Sequence, residues 1–185
     1  YAIIYVDGRC NMKCGFCIHA AVDARATPSS ISPEQWGQIF KKANSLLHLT
    51  VTGGEPFLRK DFVQIIDNII LKCNVPRISI KSNGFYVDRI KEYVPKLIEK
   101  HPNTEFTLSI SLDGPEEIHD KVRVFKGAYK KVLETIAEMQ QYRKKSNFFL
   151  RLASVITQDN KHILDKLFEE TASWPIDFHE LILLR

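Results

Sequence analysis

Cys10, Cys14 and Cys17 are the residues whose types and spacing could do chemistry together, because Cys10-Asn-Met-Lys-Cys14-Gly-Phe-Cys17 puts three thiols within eight residues. Even fully extended, such a segment spans no more than about 25 Å, so the loop can wrap one small object. In an iron–sulfur cubane, three thiolates leave one iron open to substrate, whereas a fourth would close the cluster for electron transfer alone. A tight turn at Gly15 would let amide N–H groups face the cluster sulfurs and adjust its potential. Zinc is the other candidate. It accepts three cysteines and a histidine, and His19 stands two residues past Cys17. Structural zinc sites usually draw ligand pairs from two separated segments, which counts against zinc without closing the question. Cys73, far along the chain, reads as an ordinary thiol, and three near neighbours with one distant partner do not make a disulfide framework.

Other polar residues cluster just after short apolar runs: Asp7 through Cys17, Gly53-Gly54-Glu55, Ser82-Asn83-Gly84 and Asp113-Gly114. Turn chemistry explains each segment alone. It does not explain why all four should surround a cysteine cluster. The runs themselves predict six strands, approximately Ala2 to Val6, Leu47 to Thr52, Arg77 to Lys81, Thr104 to Leu112, Phe148 to Ile156 and Phe178 to Leu184. Between them, helical periodicity predicts Ser32 to about Leu47, Phe62 to Lys72, Val87 to Glu99, Ala128 to Lys145 and Lys161 to Ser173. The first of these opens on Ser32-Pro33-Glu34-Gln35, an N-cap with proline at the first helical position and a capping-box partner. In the fourth, Val132, Ile136 and Met139 recur at helical spacing and should face the sheet. This alternation predicts an α/β fold, a parallel sheet with outer helices, whose ligands bind beyond the carboxyl ends of the strands.

At 185 residues, with 44% hydrophobic and 26% charged residues, one core is expected. No internal repeat or interior linker divides the chain, and no apolar run approaches the ~20 residues that span a bilayer. The net charge of +4 is too mild and too scattered to argue for a nucleic-acid partner. The dense basic stretch Arg143-Lys144-Lys145 closes a predicted helix, where cations complement terminal carbonyls. The chain opens at Tyr1 without a signal-like leader and ends at Arg185. The expectation is one domain, 1–185, cut from something longer, in the cytoplasm.

The spacing Cys-x3-Cys-x2-Cys with Phe16 before the last cysteine resembles the signature of the radical SAM superfamily, and Gly53-Gly54-Glu55-Pro56 is similar to that family's GGEP motif. The resemblance implies a partial (β/α)6 barrel with a [4Fe–4S] cluster on Cys10, Cys14 and Cys17. S-adenosylmethionine would chelate the open iron through its amino and carboxylate groups, with the backbone and carboxylate of Gly53, Gly54 and Glu55 receiving the ammonium. Ser109-Ile-Ser111-Leu-Asp113-Gly114 with His119-Asp120-Lys-Val-Arg123 resembles the SPASM-type subgroup of sulfatase-maturing enzymes and peptide-modifying maturases. By that resemblance Ser111 and Asp113 lie beside the ribose and Arg123 pairs with the methionyl carboxylate, a task that suits a planar, bidentate fork. Ser82 and Asn83 would face the cofactor, Val155 and Ile156 would wall the adenine, and Phe16 would offer it backbone contacts. The subgroup commonly carries a further cysteine-rich domain, and no such region lies within these residues.

The activity implied is reductive cleavage of S-adenosylmethionine to a 5′-deoxyadenosyl radical that abstracts hydrogen from a substrate. It needs a low-potential electron donor such as a flavodoxin or ferredoxin. The substrate is a peptide, a protein or a small molecule. No catalytic residue is assigned, although His179 and Glu180 on the last strand are candidates for a base or radical quencher. Two rival readings keep the motif: a non-catalytic scaffold domain holding zinc or a redox-silent cluster, and an enzyme that uses S-adenosylmethionine as methyl donor.

Overall fold

The computed structural model describes residues 1–17 and 29–184; His19 therefore lies outside the described residues. The strands are β1 (Ala2–Tyr5), β2 (Leu49–Thr52), β3 (Arg77–Ser82), β4 (Glu105–Ser111), β5 (Phe148–Ile156) and β6 (Phe178–Leu183). They pair in sequence order, every pair parallel, with β1 and β6 at the two edges. The sheet is an open, partial barrel. Parallel neighbours need crossovers, which are supplied by α1 (Pro33–Lys41), α2 (Phe62–Lys72), α3 (Val87–Lys100), α4 (Glu116–Arg123), α5 (Ala128–Met139) and α6 (Leu164–Thr171).

The two faces of the sheet differ in chemistry because side chains alternate along each strand. One face carries Ile4, Leu49, Val51, Ile78, Ile80, Phe106, Leu108, Ile110, Leu150 and Leu152, all buried in a core shared with the helices. The other carries Thr50, Thr52, Ser79, Lys81, Ser109, Ser111, Arg151 and Glu180. Parallel sheets are ordinarily apolar on both faces, so a polar inner face marks the side left for a ligand. That face is concave. Lys81 on β3 meets Glu180 on β6 at 2.9 Å, although two strands lie between them and flat neighbours stand about 4.8 Å apart.

Local signals account for most boundaries. Ser32 caps α1 as its sequence predicts: Gln35 N–H donates to Ser32 Oγ at 3.3 Å and Ser32 N–H to Gln35 Oε1 at 2.8 Å. This helix stops at Lys41, short of the expected Leu47, because Asn44 adopts a left-handed φ of 61° and Ser45 bridges to Asn74 instead. Helix α5 is shorter than the predicted Ala128 to Lys145, since its last turn tightens into a 3-10 segment over Gln140–Lys144. Val132, Ile136 and Met139 are buried, as their spacing predicts. The fifth predicted helix is a 3-10 turn over Lys161–Ile163 followed by α6.

Helix α4 is not among the helices that periodicity predicts. Acidic Glu116 and Glu117 open it, Lys121 and Arg123 close it, and Val124 ends it with a left-handed φ of 51°. Those charges complement the helix dipole and hold a segment too short and polar to show apolar periodicity. Among the described residues, no helix is long and apolar enough to cross a membrane.

Candidate functional site

The carboxyl ends of the strands surround a cavity of about 220 Å³ that opens onto the concave face. Cys10, Cys14, Cys17, Phe16, Gly53, Gly54, Ser82, Asn83, Ser111, Arg123 and Val155 all line it. A larger cavity of about 550 Å³ lies between α3 and α5. It holds no cysteine, and most of its charges already have partners: Lys131 pairs with Glu134 at 2.6 Å, Lys91 with Glu138 at 3.5 Å, and Arg89 donates to Phe57 O at 2.6 Å. Chemistry therefore favours the smaller one.

The cysteine loop is held at both ends. Asp7, fully buried, receives Arg9 N–H at 2.9 Å and Arg9 Nη2 at 2.7 Å, which braces the start. Cys17 N–H closes a turn on Cys14 O at 3.1 Å, and Met12 packs into a small apolar cluster with Cys14, Ala128, Phe85 and Phe125. All four cysteines are free thiols. Burial pushes the Cys10 thiol up to about 11 and raises Cys14 as well, so any metal centre must displace their protons.

Donors already point at these sulfurs. Met12 N–H lies 3.4 Å from Cys10 Sγ, Asn83 Nδ2 lies 3.8 Å from the same atom, and Arg123 Nη1 lies 3.8 Å from Cys14 Sγ. Asn11 Nδ2, next to Cys10 in the chain, is buried without a partner among the described residues. Such donors stabilise thiolates and the sulfides between them, so the loop fits a thiolate-ligated cluster. Among the described residues, no three His, Cys, Asp or Glu side chains are gathered around a single metal ion.

The Gly53-Gly54 turn carries the β1–β2 ladder into this loop: Gly54 N–H donates to Asp7 O and Glu55 N–H to Arg9 O, both at 2.8 Å. Glycine is needed for the close approach. A Cβ on Gly54 would sit 2.2 Å from Arg9 O, and one on Gly53 2.3 Å from Asp7 O.

Glu55 does not line the cavity. Its carboxylate is fully buried and turned to the end of β3, where it accepts from Phe57 N–H at 3.1 Å, Ser82 Oγ at 3.0 Å and Asn83 N–H at 2.8 Å. Burial outweighs these bonds and pushes its carboxyl up to about 7. In this geometry Glu55 fixes Ser82 and Asn83, while Gly53 and Gly54 face the cavity.

Arg123 and Asp113 behave in the same divided way. Arg123 lines the cavity, its guanidinium stacked over Phe16 at 5.3 Å; its Nε donates to Asp113 Oδ2 at 2.6 Å. Asp113 is fully buried outside the cavity lining, accepting also from Val155 N–H at 2.9 Å. Its own N–H donates to His119 Nδ1 at 3.1 Å. His119 is neutral: burial, then the Arg123 charge, push its imidazole down to about 4. Its Nε2 has no partner among the described residues.

Several residues escaped sequence reasoning. Asn160 is fully buried and donates through Nδ2 to Asp113 O at 2.9 Å and Val155 O at 2.8 Å, clamping the ends of β4 and β5. Its signal was local, since Thr157 N–H caps its side chain three residues back at 2.7 Å. Met12, Thr52, Lys81, Ser109, Ala153 and Ile182 also line the cavity. For Lys81 and Ser109 the signal was a polar residue at every second position of an otherwise apolar strand. Of the two β6 candidates, His179 turns away, its Nε2 at 2.8 Å from Ser154 Oγ and its ring against Phe168. Glu180 faces inward.

The sequence model of the Radical SAM superfamily matches residues 4–168. The sporulation killing factor maturation protein SkfB of Bacillus subtilis is 26% identical over 172 residues, 92% of this chain and 39% of that protein. A cysteine-type anaerobic sulfatase-maturating enzyme of Clostridium novyi is 26% identical, covering 88% of this chain and 45% of its own length. A GTP 3′,8-cyclase of Synechocystis is 25% identical, with coverages of 98% and 53%. The chain thus spans about half the length, or less, of these relatives. Among solved structures, anSMEcpe with bound AdoMet superposes with a TM-score of 0.73 at 20% identity, over 98% of this chain and 50% of that one. Streptococcus suis SuiB bound to precursor peptide SuiA gives 0.67 at 17% identity, over 100% and 39%. At these identities the structural likeness concerns the fold.

Proposed function

The chain belongs to the radical SAM superfamily, and on that premise we propose that it binds a [4Fe–4S] cluster and S-adenosylmethionine and initiates radical chemistry on a peptide or protein. The observation that carries this reading is convergence: three free cysteines, the Gly53-Gly54 turn, Ser111, Val155 and Arg123 line one cavity at the strand ends. Cys10, Cys14 and Cys17 would hold the cluster. When bound, the two groups supply a reductive cleavage of S-adenosylmethionine whose product abstracts hydrogen from substrate.

The chain's own residues bind, orient and exclude water. Arg123 presents a cation at the cavity wall, kept in position by Asp113, and so suits the methionyl carboxylate. Gly53 and Gly54 offer backbone close to the cysteine loop for the ammonium, with Glu55 acting through Ser82 and Asn83. Ser111 suits a ribose hydroxyl, while Val155, beside the apolar Ala153 and Ile182, suits an adenine face and keeps water from it. Holding reactants in such a site supplies roughly 7–11 kcal/mol of a barrier.

A peptide or protein substrate is supported by the company the chain keeps, a killing-factor maturation protein, a sulfatase-maturating enzyme and a fold neighbour solved with a precursor peptide. The chemistry calls for a low-potential electron donor such as a flavodoxin or ferredoxin. Four cysteines kept as free thiols accord with the reducing cytoplasm. Anaerobic reconstitution with iron and sulfide tests the site. About four irons per chain, lost in Cys14→Ala with the brown chromophore, is the expected result. About one zinc without sulfide would replace this reading with a scaffold domain.

A further inference from the structure

One layer below Ser111, the concave face carries Lys81, Ser109 and Arg151, adjacent in register on β3, β4 and β5. Glu180 reaches over them from β6. Lys81 Nζ lies 2.9 Å and Arg151 Nη2 3.5 Å from the same Glu180 Oε2 atom, and Arg151 Nε donates to Ser109 Oγ at 3.3 Å. Two cations thus share one carboxylate oxygen, which leaves a surplus positive charge on an otherwise neutral polar surface. The side chains of Lys81, Arg151 and Glu180 are 31%, 20% and 36% exposed, so a molecule entering the bowl can reach them. A pair serving only to pin β3 to β6 would need neither the second cation nor the opening. Arg151 and Glu180 stand outside the lining of the cysteine cavity and are tied to it by their contacts with Ser109 and Lys81. Lys81 and Ser109 line the same cavity as the cysteines. They stand two residues, about 6.6 Å along the strand, from the level of Ser111.

Resting on the proposed function and naming the substrate class for its site, we propose that Lys81 and Arg151 receive a carboxylate of the substrate peptide, with Glu180 holding the two cations until substrate replaces it. The guanidinium fork and the ammonium suit such a group, whether it is an acidic side chain or a free carboxyl terminus. Anchored there, the substrate's neighbouring carbons rise to the level of Ser111 and Ala153, just below Val155, where the proposed reading sets the nucleoside.

The probes are three capped pentapeptides titrated at low salt into isotope-labelled protein, with the Arg151 Nε resonance as readout: Ac-Gly-Ala-Glu-Ala-Gly-NH2, its Gln counterpart, and the Gln peptide with a free carboxyl terminus. An accessible ion pair is worth up to about 1 kcal/mol, or about fivefold in affinity. At least one carboxylate peptide should therefore bind about fivefold more tightly than the capped Gln peptide, and which one does so identifies the carboxylate. Lys81→Gln should remove that preference. Glu180→Gln, which frees both cations, should strengthen it by about the same factor, whereas a cluster that merely braces the sheet would show no gain; this variant decides the matter if Lys81→Gln fails to fold. Equal binding of all three peptides, a weaker preference in Glu180→Gln, or a response to inorganic phosphate alone overturns the proposal. Cleavage of S-adenosylmethionine by the reconstituted wild type without peptide, measured in parallel, separates the two readings. Cleavage without the Arg151 response sinks only the carboxylate site, and the response without cleavage sinks the radical reading.

Discussion

Replacing Asp113 with Asn removes one charge from a buried pair and leaves the other behind. Asp113 is fully buried and Arg123 is 7% exposed, with Nε and Oδ2 2.6 Å apart. An Asn side chain can still accept from Val155 N–H through its carbonyl oxygen, but it then turns its NH2 toward Arg123 Nε–H. Stranding one member of a buried ion pair costs about 3–5 kcal/mol. The remaining contacts of Arg123 with Phe16 and Cys14 argue for the lower end, about 3 kcal/mol. For a domain of this size that lowers Tm by about 6–12 °C. The assay is thermal unfolding of the apo protein by circular dichroism, run also on Arg123→Met and on the double variant. Arg123→Met alone strands the Asp113 carboxylate instead, so in that background Asp113→Asn relieves a buried charge and should cost nothing or stabilise. A shift below about 2 °C in the single variant, or equal shifts in both backgrounds, would show that Asp113 and Arg123 are not a sealed ion pair.

Gly54→Ala should weaken iron loading severely, because its Cβ would lie 2.2 Å from Arg9 O in a backbone that cannot yield; near-normal loading would show that the turn relaxes. Asn160→Ala leaves one buried and one part-buried carbonyl without their donor and should destabilise the chain by about 2 kcal/mol in urea unfolding. His119 gives a pH dependence with a definite sign. Its folded pKa of about 4 lies below the unfolded 6.5, so the unfolded state binds the proton first. Its contribution is intact above pH 6.5 and is lost as pH falls toward 4, by about 3 kcal/mol in all. His119→Gln should flatten that part of a pH series of urea midpoints.

What the sequence makes legible here is what short-range chemistry decides. The spacing of Cys10, Cys14 and Cys17, the capping box at Ser32 and the alternation of strands and helices are all local, and the six parallel strands follow within a residue or two at most ends. Helix α4 was hidden because a two-turn polar helix carries no apolar stripe, and only its end charges give it away. The direction of the Glu55 carboxylate was hidden for a different reason. It depends on Ser82 and Asn83, 27 and 28 residues on, whose N–H and O–H groups capture it. Asp113 likewise turns away from the ligand side because Arg123 and Val155 hold both its oxygens. The structure gathers the motif residues at the strand ends, and the division between those facing the cavity and those bracing them comes from tertiary contacts.

Product analysis distinguishes radical cleavage of S-adenosylmethionine from its rivals. The reconstituted protein, given dithionite and S-adenosylmethionine under strict anaerobiosis, should form 5′-deoxyadenosine and methionine in equal amounts, and Cys14→Ala should form neither. A loaded cluster that yields no 5′-deoxyadenosine, or that yields S-adenosylhomocysteine in its place, would exclude radical cleavage by this chain.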